Sequence, residues 1–408
     1  MKKTLEFLIL VVLLAALVLT ALMRMDIFDP RQADTEPAAE ETAESPTPVP
    51  EEPSLADPAP EDPAGPDGST PPPTPEPTPE YFTFSAIGDC TLASHQNLSE
   101  GDKASYAGKM NGDFAYPFHN TKEYFEDDEL TIANLECTLS DTRLHSNSRF
   151  YFRAPAEFAQ VLTEGGVDFV TTANNHTMDF GLQGVEDTCA ALDACGIPYG
   201  VEKQAQILTT PNGIHVGIYC DYNGYFPTVE DCTAAIEQLK EDGAEYIICM
   251  FHFGPDEVVY HPQQAHMDLA HACVDAGADL IYSTHSHSLQ PLEVYNGAYI
   301  LYGMGNWTFG GSSSPKDMDT AIFQARIKRD IDGSISNDGY EIIPCCVSSR
   351  PVLEGYFNFA YNDYCPTPYE EGSELYDRAM SKILGTYDGP DGVVDYSEWI
   401  DYNAENDE

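Results

Sequence analysis

Basic residues are scarce in this sequence: 19 lysines and arginines stand against 68 aspartates and glutamates, a formal charge of −49 over 408 residues. That scarcity excludes nucleic acid as the main partner, because phosphate backbones are held by clustered Lys and Arg. Anionic membrane surfaces are disfavoured for the same reason. Cations, divalent metals included, become the natural counterions. The eleven cysteines contain no C-x-x-C pair, so the usual zinc spacing is missing. Several of them, such as Cys220 and Cys249, lie inside apolar runs where buried thiols are common. No internal repeat is visible. Apolar residues, in contrast, make up 42% of the chain, enough for a sizeable core.

Residues 7–23 form an apolar run of 17, broken only by Thr20, behind Lys2 and Lys3. That length is at the short end of what crosses a bilayer as a helix. A removable signal peptide would share the basic start, but no clean A-x-A pattern precedes Arg24 and no lipobox cysteine is present. An uncleaved single-pass anchor over 1–25 is therefore expected, placing the rest of the chain outside the cell. Residues 26–80 read as a disordered Pro/Glu-rich linker. Between Asp29 and Glu80 lie 16 of the chain's 30 prolines and 14 acidic residues. Such a stretch has too little apolar surface to offset its ordering entropy.

From residue 81 onward, strand-like runs alternate with helix-like ones. Short apolar runs at 82–87, 130–133, 167–173, 215–220, 246–251 and 280–284 are separated by helical patterns at 157–164, 182–195, 229–241 and 263–276. Consecutive strands then follow at 297–304, 320–329 and 339–347. This order predicts an α/β fold that ends in a β-rich part, consistent with a two-sheet sandwich flanked by helices. An acidic, tyrosine-rich extension is expected over 351–408, with one helix near 370–384.

The chemistry lies where these runs end. The first runs into Asp89 and the second into Glu136. The third ends in Asn174-Asn175-His176, the fifth at His252, and the sixth at His285-Ser286-His287. Each residue alone has an ordinary reading: a turn, a loop acid, a helix cap or a structural histidine. Jointly, five strand ends bring carboxylate, amide and imidazole groups to one edge, where α/β sheets bind ligands and where a di-metal centre is assembled. An extended His285-x-His287 would place both rings on one face.

The segments Ala86-Ile-Gly-Asp89, Ala133-Asn-Leu-Glu136, Ala173-Asn-Asn-His-Thr-Met-Asp-Phe-Gly181, His252-Phe-Gly254, Asp275-Ala-Gly-Ala-Asp279, His285-Ser-His287 and Tyr302-Gly-Met-Gly-Asn306 resemble the CapA family. That family is associated with poly-gamma-glutamate capsule synthesis and is similar in turn to calcineurin-like metallophosphatases. The resemblance spans roughly 82–347 and implies a four-layer α/β/β/α metallophosphatase-like sandwich over 81–350. It implies one or two divalent metal ions (manganese, zinc, iron or magnesium). Asp89 and His287 would hold the first and Asn175, His252 and His285 the second, with Glu136 bridging and His176 as general acid. The partners it implies are the anionic polymer poly-gamma-glutamate and membrane-bound capsule synthase subunits.

Two departures stand out. Metallophosphatases usually carry Asp-x-His in the first motif, where this chain has Thr91, and Glu136 is one methylene longer than the usual bridging Asp. Asp256 and Glu257 are available as acids beyond the His252 motif. A chain this acidic needs bound cations or a local basic pocket to meet a polyanion, and Arg149 and Arg153 are the candidate substrate-binding residues. The expected function is a surface-anchored, metal-dependent hydrolase-type role in making, exporting, attaching or releasing that polymer. The alternatives are a non-catalytic accessory of the polymer synthase and a general extracellular metallophosphoesterase.

Overall fold

The structure, a computed structural model, describes residues 77–99, 101–143, 145–146, 149–222, 226–254, 258–354, 362–387 and 389. The expected anchor at 1–25 and nearly all of the expected linker lie outside these residues. Among the described residues, no helix is long and apolar enough to cross a membrane.

The chain opens with β1 (Glu80–Thr91), α1 (Tyr106–Met110), β2 (Leu130–Leu135), β3 (Thr138–Leu139), β4 (Arg153–Ala154), α2 (Ala159–Gly165) and β5 (Phe169–Thr171). It continues through α3 (Gly181–Cys195), β6 (Tyr199–Gly200), β7 (Gln204–Thr209), β8 (His215–Asp221), α4 (Val229–Glu241), β9 (Tyr246–His252) and α5 (Gln264–Ala276). Then come β10 (Leu280–Thr284), β11 (Leu292–Tyr295), β12 (Ala298–Leu301), β13 (Asn306–Phe309), β14 (Asp319–Arg329) and β15 (Ile335–Cys346). The last described elements are α6 (Ser349–Leu353), β16 (Thr367–Pro368) and α7 (Glu374–Ile383).

One sheet has the order β16-β15-β14-β1-β2-β5-β6, with β13 pairing the far end of β1; the other has the order β11-β12-β10-β9-β8-β7. Strands β1, β2, β5 and β6 run parallel, as do β8, β9, β10 and β12. Burial explains why the central runs are apolar throughout instead of alternating. In β9, Tyr246, Ile248 and Met250 point between the two sheets, while Ile247, Cys249 and Phe251 point outward onto the helix layer. Phe84, Ala86, Leu130, Ile132 and Phe169 of the first sheet complete the inter-sheet core. Cys232, Ile236 and Leu239 of α4, with Leu269, Ala270 and Cys273 of α5, cover the outer face of the second sheet. Val161, Leu162 and Leu192 of α2 and α3 help cover that of the first. Helices thus lie on both outer faces of two packed sheets.

Helix starts follow local chemistry. Thr228 caps α4 by accepting the Asp231 N–H, and Ser373 caps α7 by accepting that of Tyr376. Because Ser373 is the cap, α7 begins at Glu374 and not at residue 370. The strand expected over 297–304 is shorter than expected. β12 stops at Leu301, and Gly305, at a φ of +68°, turns the chain into β13. The packing also continues past residue 350. β16 pairs with β15, and Ala379, Met380 and Ile383 of α7 enter the inter-sheet core. All eleven cysteines are free thiols, with Cys90 and Cys137 filling the apolar layer outside the first sheet.

Candidate metal centre

Register brings the polar strand ends together. Asp89 at the end of β1 lies opposite Asn134 of β2 on one side and Asn306 of β13 on the other. In the facing sheet, His252 at the end of β9 lies opposite Thr284 of β10, and His285 follows directly. The sheets are stitched beside this point by the Tyr282 hydroxyl, which donates to the Ile87 carbonyl at 2.8 Å. Gly88 permits the approach of the next segment: a Cβ there would sit 2.2 Å from the Gly305 carbonyl oxygen. That oxygen accepts the Asp89 N–H at 3.0 Å.

Two groups of ligand atoms result, each within 4.8 Å of one another: Asp89, Glu136 and His287 in one, Glu136, His252 and His285 in the other. Glu136 belongs to both, as a bridging carboxylate must. Asn175 joins the second group, its Oδ1 2.8 Å from His252 Nε2, which is also 2.9 Å from His285 Nδ1 and 3.4 Å from Glu136 Oε1. His287 Nδ1 lies 3.4 Å from Asp89 Oδ2, and its Nε2 3.9 Å from Glu136 Oε1. His176 points in from the side, its Nε2 3.9 Å from the same Glu136 oxygen.

Neighbours fix these groups. Asn134 Nδ2 donates to Asp89 Oδ1 at 2.8 Å, and Asn174 Nδ2 donates to Asn134 Oδ1 at 3.0 Å. Thr284 Oγ1, 2.8 Å from His252 Nδ1, can accept the proton there and leave Nε2 its lone pair. Asp179 Oδ2 plays the same part for His176, at 2.7 Å from its Nδ1, and also accepts the Phe152 N–H. Thr91, in place of the usual motif histidine, turns its hydroxyl to Glu136 Oε2 at 3.3 Å.

Electrostatics point to cations. Asp89 and Glu136 are fully buried, yet Asp89 Oδ2 and Glu136 Oε1 have no hydrogen-bond partner among the described residues. Two buried carboxylates with orphaned oxygens are costly unless positive charge faces them. Burial would raise both carboxyl pKa values, and the Asp89 charge would raise Glu136 further; His287 and His252 outweigh this and hold both below the ordinary range. For His176, burial works downward, but the bond to Asp179 and the Glu136 charge outweigh it and raise the pKa above its usual 6.5. The oxygen and imidazole donor set suits manganese, zinc, iron or magnesium, and the residues present fit one or two such ions.

The expected Asp89, Glu136, Asn175, His176, His252, His285 and His287 therefore converge. One detail differs. His285 and His287 do not share a face of an extended segment; their φ values of +93° and +53° curl the chain so that each ring serves a different group. Left-handed backbone outside glycine costs about 1–3 kcal/mol per residue and persists where packing enforces it. Arg153 lines an adjacent cleft, whereas Arg149 is exposed, with its guanidinium 5.1 Å above the Phe150 ring. Asp256 and Glu257 lie outside the described residues. The sequence reading passed over Asn134, Asp179, Thr284 and Asn306, whose Oδ1 is 2.9 Å from His287 Nδ1. Asn134, Asp179 and Asn306 all lie within the segments that resemble the CapA family, Asp179 three residues beyond His176.

These features define a two-sheet α/β protein with paired cation cradles sharing one carboxylate at its strand ends. The chain belongs to the bacterial capsule synthesis protein family PGA_cap, whose profile matches residues 83–311. It is 26% identical over 234 residues to the PGA biosynthesis protein CapA of Bacillus subtilis, covering 52% of this chain and 61% of that one. It is 24% identical over 276 residues to the capsule biosynthesis protein CapA of Bacillus anthracis, covering 61% of this chain and 64% of the other. The chain thus spans somewhat under two thirds of either relative. The calcineurin-like phosphoesterase YfkN of Bacillus subtilis superposes with a TM-score of 0.41 at 15% identity, covering 65% of this chain and 90% of that one.

Proposed function

We propose that the chain acts on poly-gamma-glutamate at the cell surface, as a membrane-anchored protein whose folded part faces outward and carries out a metal-dependent hydrolytic or transfer step on the polymer. The observation that carries this reading is the pair of cradles sharing Glu136, with buried carboxylate oxygens aimed into both. Asp89, Glu136 and His287 would hold one cation; Glu136, Asn175, His252 and His285 would hold the other. Cations held there would supply Lewis acidity and lower the pKa of a water, chemistry that would suit an amide or an ester equally. The protein's own part is orientation and proton handling. Asn134 and Thr284 fix the ligands, and Asp179 holds His176 with Nε2 turned to the centre, where it can deliver a proton to a leaving group. Phe152, its ring 4.4 Å from that of His176, walls off water on one side.

The test is turnover. The full chain, loaded with manganese or zinc, should shorten or transfer poly-gamma-glutamate, as read by polymer length. Chelation or His176→Ala should reduce the rate at least about a hundredfold, the usual size of a general-acid contribution. Metal binding with no turnover of polymer or of simple phosphoesters would favour a second reading, an accessory of the membrane-bound synthase. Thr91 in the first motif, which removes one imidazole from the first cradle, is the observation on its side.

A further inference from the structure

Among the described residues of this carboxylate-rich chain, four of the seven arginines pair with acids. Arg326 pairs with Asp338, Arg329 with Glu80, Arg350 with Glu354 and Arg378 with Asp319. The stretch between Asp141 and Ala154 carries the other three. It holds Arg143, Arg149 and Arg153 with no further acid. Arg143 and Arg149 are exposed and form no ion pair among the described residues. Arg153 directs one N–H to the Ser140 carbonyl at 2.7 Å.

Two of these arginines rim a cleft of about 250 Å³, with His145 beside them and Leu92, Phe158 and Phe180 as its apolar floor. The floor is buried while Arg143 and His145 are exposed, so the cleft opens to solvent. It adjoins the His176 side of the metal centre. Phe180 follows Asp179, which holds His176, and Leu92 is three residues beyond Asp89. Ser146 donates its N–H to the Asp179 carbonyl at 2.7 Å, tying the arginine-bearing loop to that wall.

We infer that this cleft is a subsite for the polymer's pendant carboxylates, with Arg143 and Arg153 taking one glutamyl unit and Arg149 the approach of the next. The inference rests on the polymer reading above and adds where the chain lies. A gamma-linked glutamyl unit presents two backbone methylenes and one free carboxylate per residue. The apolar floor takes the first, and a planar guanidinium takes the second with two parallel hydrogen bonds. The volume is below the roughly 300–1,000 Å³ of sites that enclose a whole small molecule, which suits one segment of a long chain. The cluster also resolves the charge conflict of a highly acidic protein meeting a polyanion, because it makes the surface beside the centre locally positive.

The experiment is titration of a fluorescent gamma-linked glutamate decamer into the manganese-loaded full chain. It is repeated with Arg143→Gln/Arg153→Gln, with Arg149→Gln, and with Arg326→Gln as a control far from the cleft. The double variant should bind at least about tenfold more weakly, Arg149→Gln less so, and Arg326→Gln like the parent, with bound metal equal in all four. If the double variant loses metal or melts early, Arg143→Lys/Arg153→Lys replaces it; charge without the planar fork should give an intermediate affinity. Equal binding by the double variant and the parent overturns the subsite while leaving the polymer reading intact. Tighter binding of a polyphosphate of equal length overturns the assignment to carboxylates. No binding by the metal-loaded parent overturns the subsite and the polymer reading together.

Discussion

Glu136 carries the charge balance of the centre, since it is the one side chain common to both cradles and its Oε1 is buried without a hydrogen-bond partner among the described residues. Its replacement by Gln should remove most bound metal. It should also cost the metal-free protein stability at neutral pH, because His287 and His252 hold the ionised carboxylate below its ordinary pKa in the folded state and Gln loses that stabilisation. A chelator should therefore lower the stability of the parent by about 3 kcal/mol where metal stands at a hundred times its Kd, yet leave Glu136→Gln nearly unchanged; paired thermal melts check both signs. His266 offers a separate test away from the ligands. It is the third residue of α5, its ring 4.6 Å from Phe253, and burial pushes its pKa from 6.5 down to about 4. Between those values the folded chain binds fewer protons than the unfolded one, so this group removes stability as pH falls from about 6.5 to about 4. Gln at the same position keeps the capping partner. His266→Gln should thus lose less stability than the parent between neutral pH and about pH 5, measured by urea unfolding. Parallel losses would contradict this account of His266.

Strand β1 and helix α7 both anchor the segments that meet at the Gly305 turn, where a Cβ on Gly305 would lie 2.9 Å from the Asp319 carbonyl oxygen. Gly88 lies where β1 meets the Gly305 turn, so Gly88→Ala must push the two backbones apart. The expected cost is about 1–3 kcal/mol, together with weaker metal retention because Asp89 is displaced; both are read from a melt with and without chelator. Helix α7 is anchored by Lys382, only 2% exposed, which reaches Asp317 at 2.5 Å and Asp319 at 2.7 Å, while Arg378 also grips Asp319. Lys382→Met leaves two buried carboxylates short of a partner and should cost about 3–5 kcal/mol, measured by urea unfolding; a loss below about 1 kcal/mol would contradict the role given to this network. Sequence made the strand ends legible because each apolar run stops abruptly at a ligand type, as at Asp89, Glu136 and His252. It could not show the turn through Gly305 that splits β12 from β13, nor the left-handed backbone at His285 and His287. Both depend on segments remote in sequence. The anchoring of α7 was hidden for the same reason: nothing in the tail itself says that Lys382 meets Asp317.

Charge governs the molecule as a whole. A net −49 repels a polyanion at long range, while the arginine cleft and bound cations attract it only at contact. Raising ionic strength from about 0.01 M to about 0.15 M shortens the screening length from roughly 30 Å to roughly 8 Å, which removes the repulsion first. The association rate with poly-gamma-glutamate should therefore rise over that range, opposite to ordinary steered binding; stopped-flow mixing at two salt concentrations checks the sign. All of this depends on cations seated between two sheets. The most direct measurement is anomalous diffraction from crystals of the manganese-loaded protein. Two peaks flanking the Glu136 carboxylate, one beside Asp89 and His287 and the other beside Asn175, His252 and His285, are the predicted result. Peaks confined to acidic surface groups, or density showing these side chains hydrogen-bonded to one another around no ion in metal-saturated crystals, would contradict it.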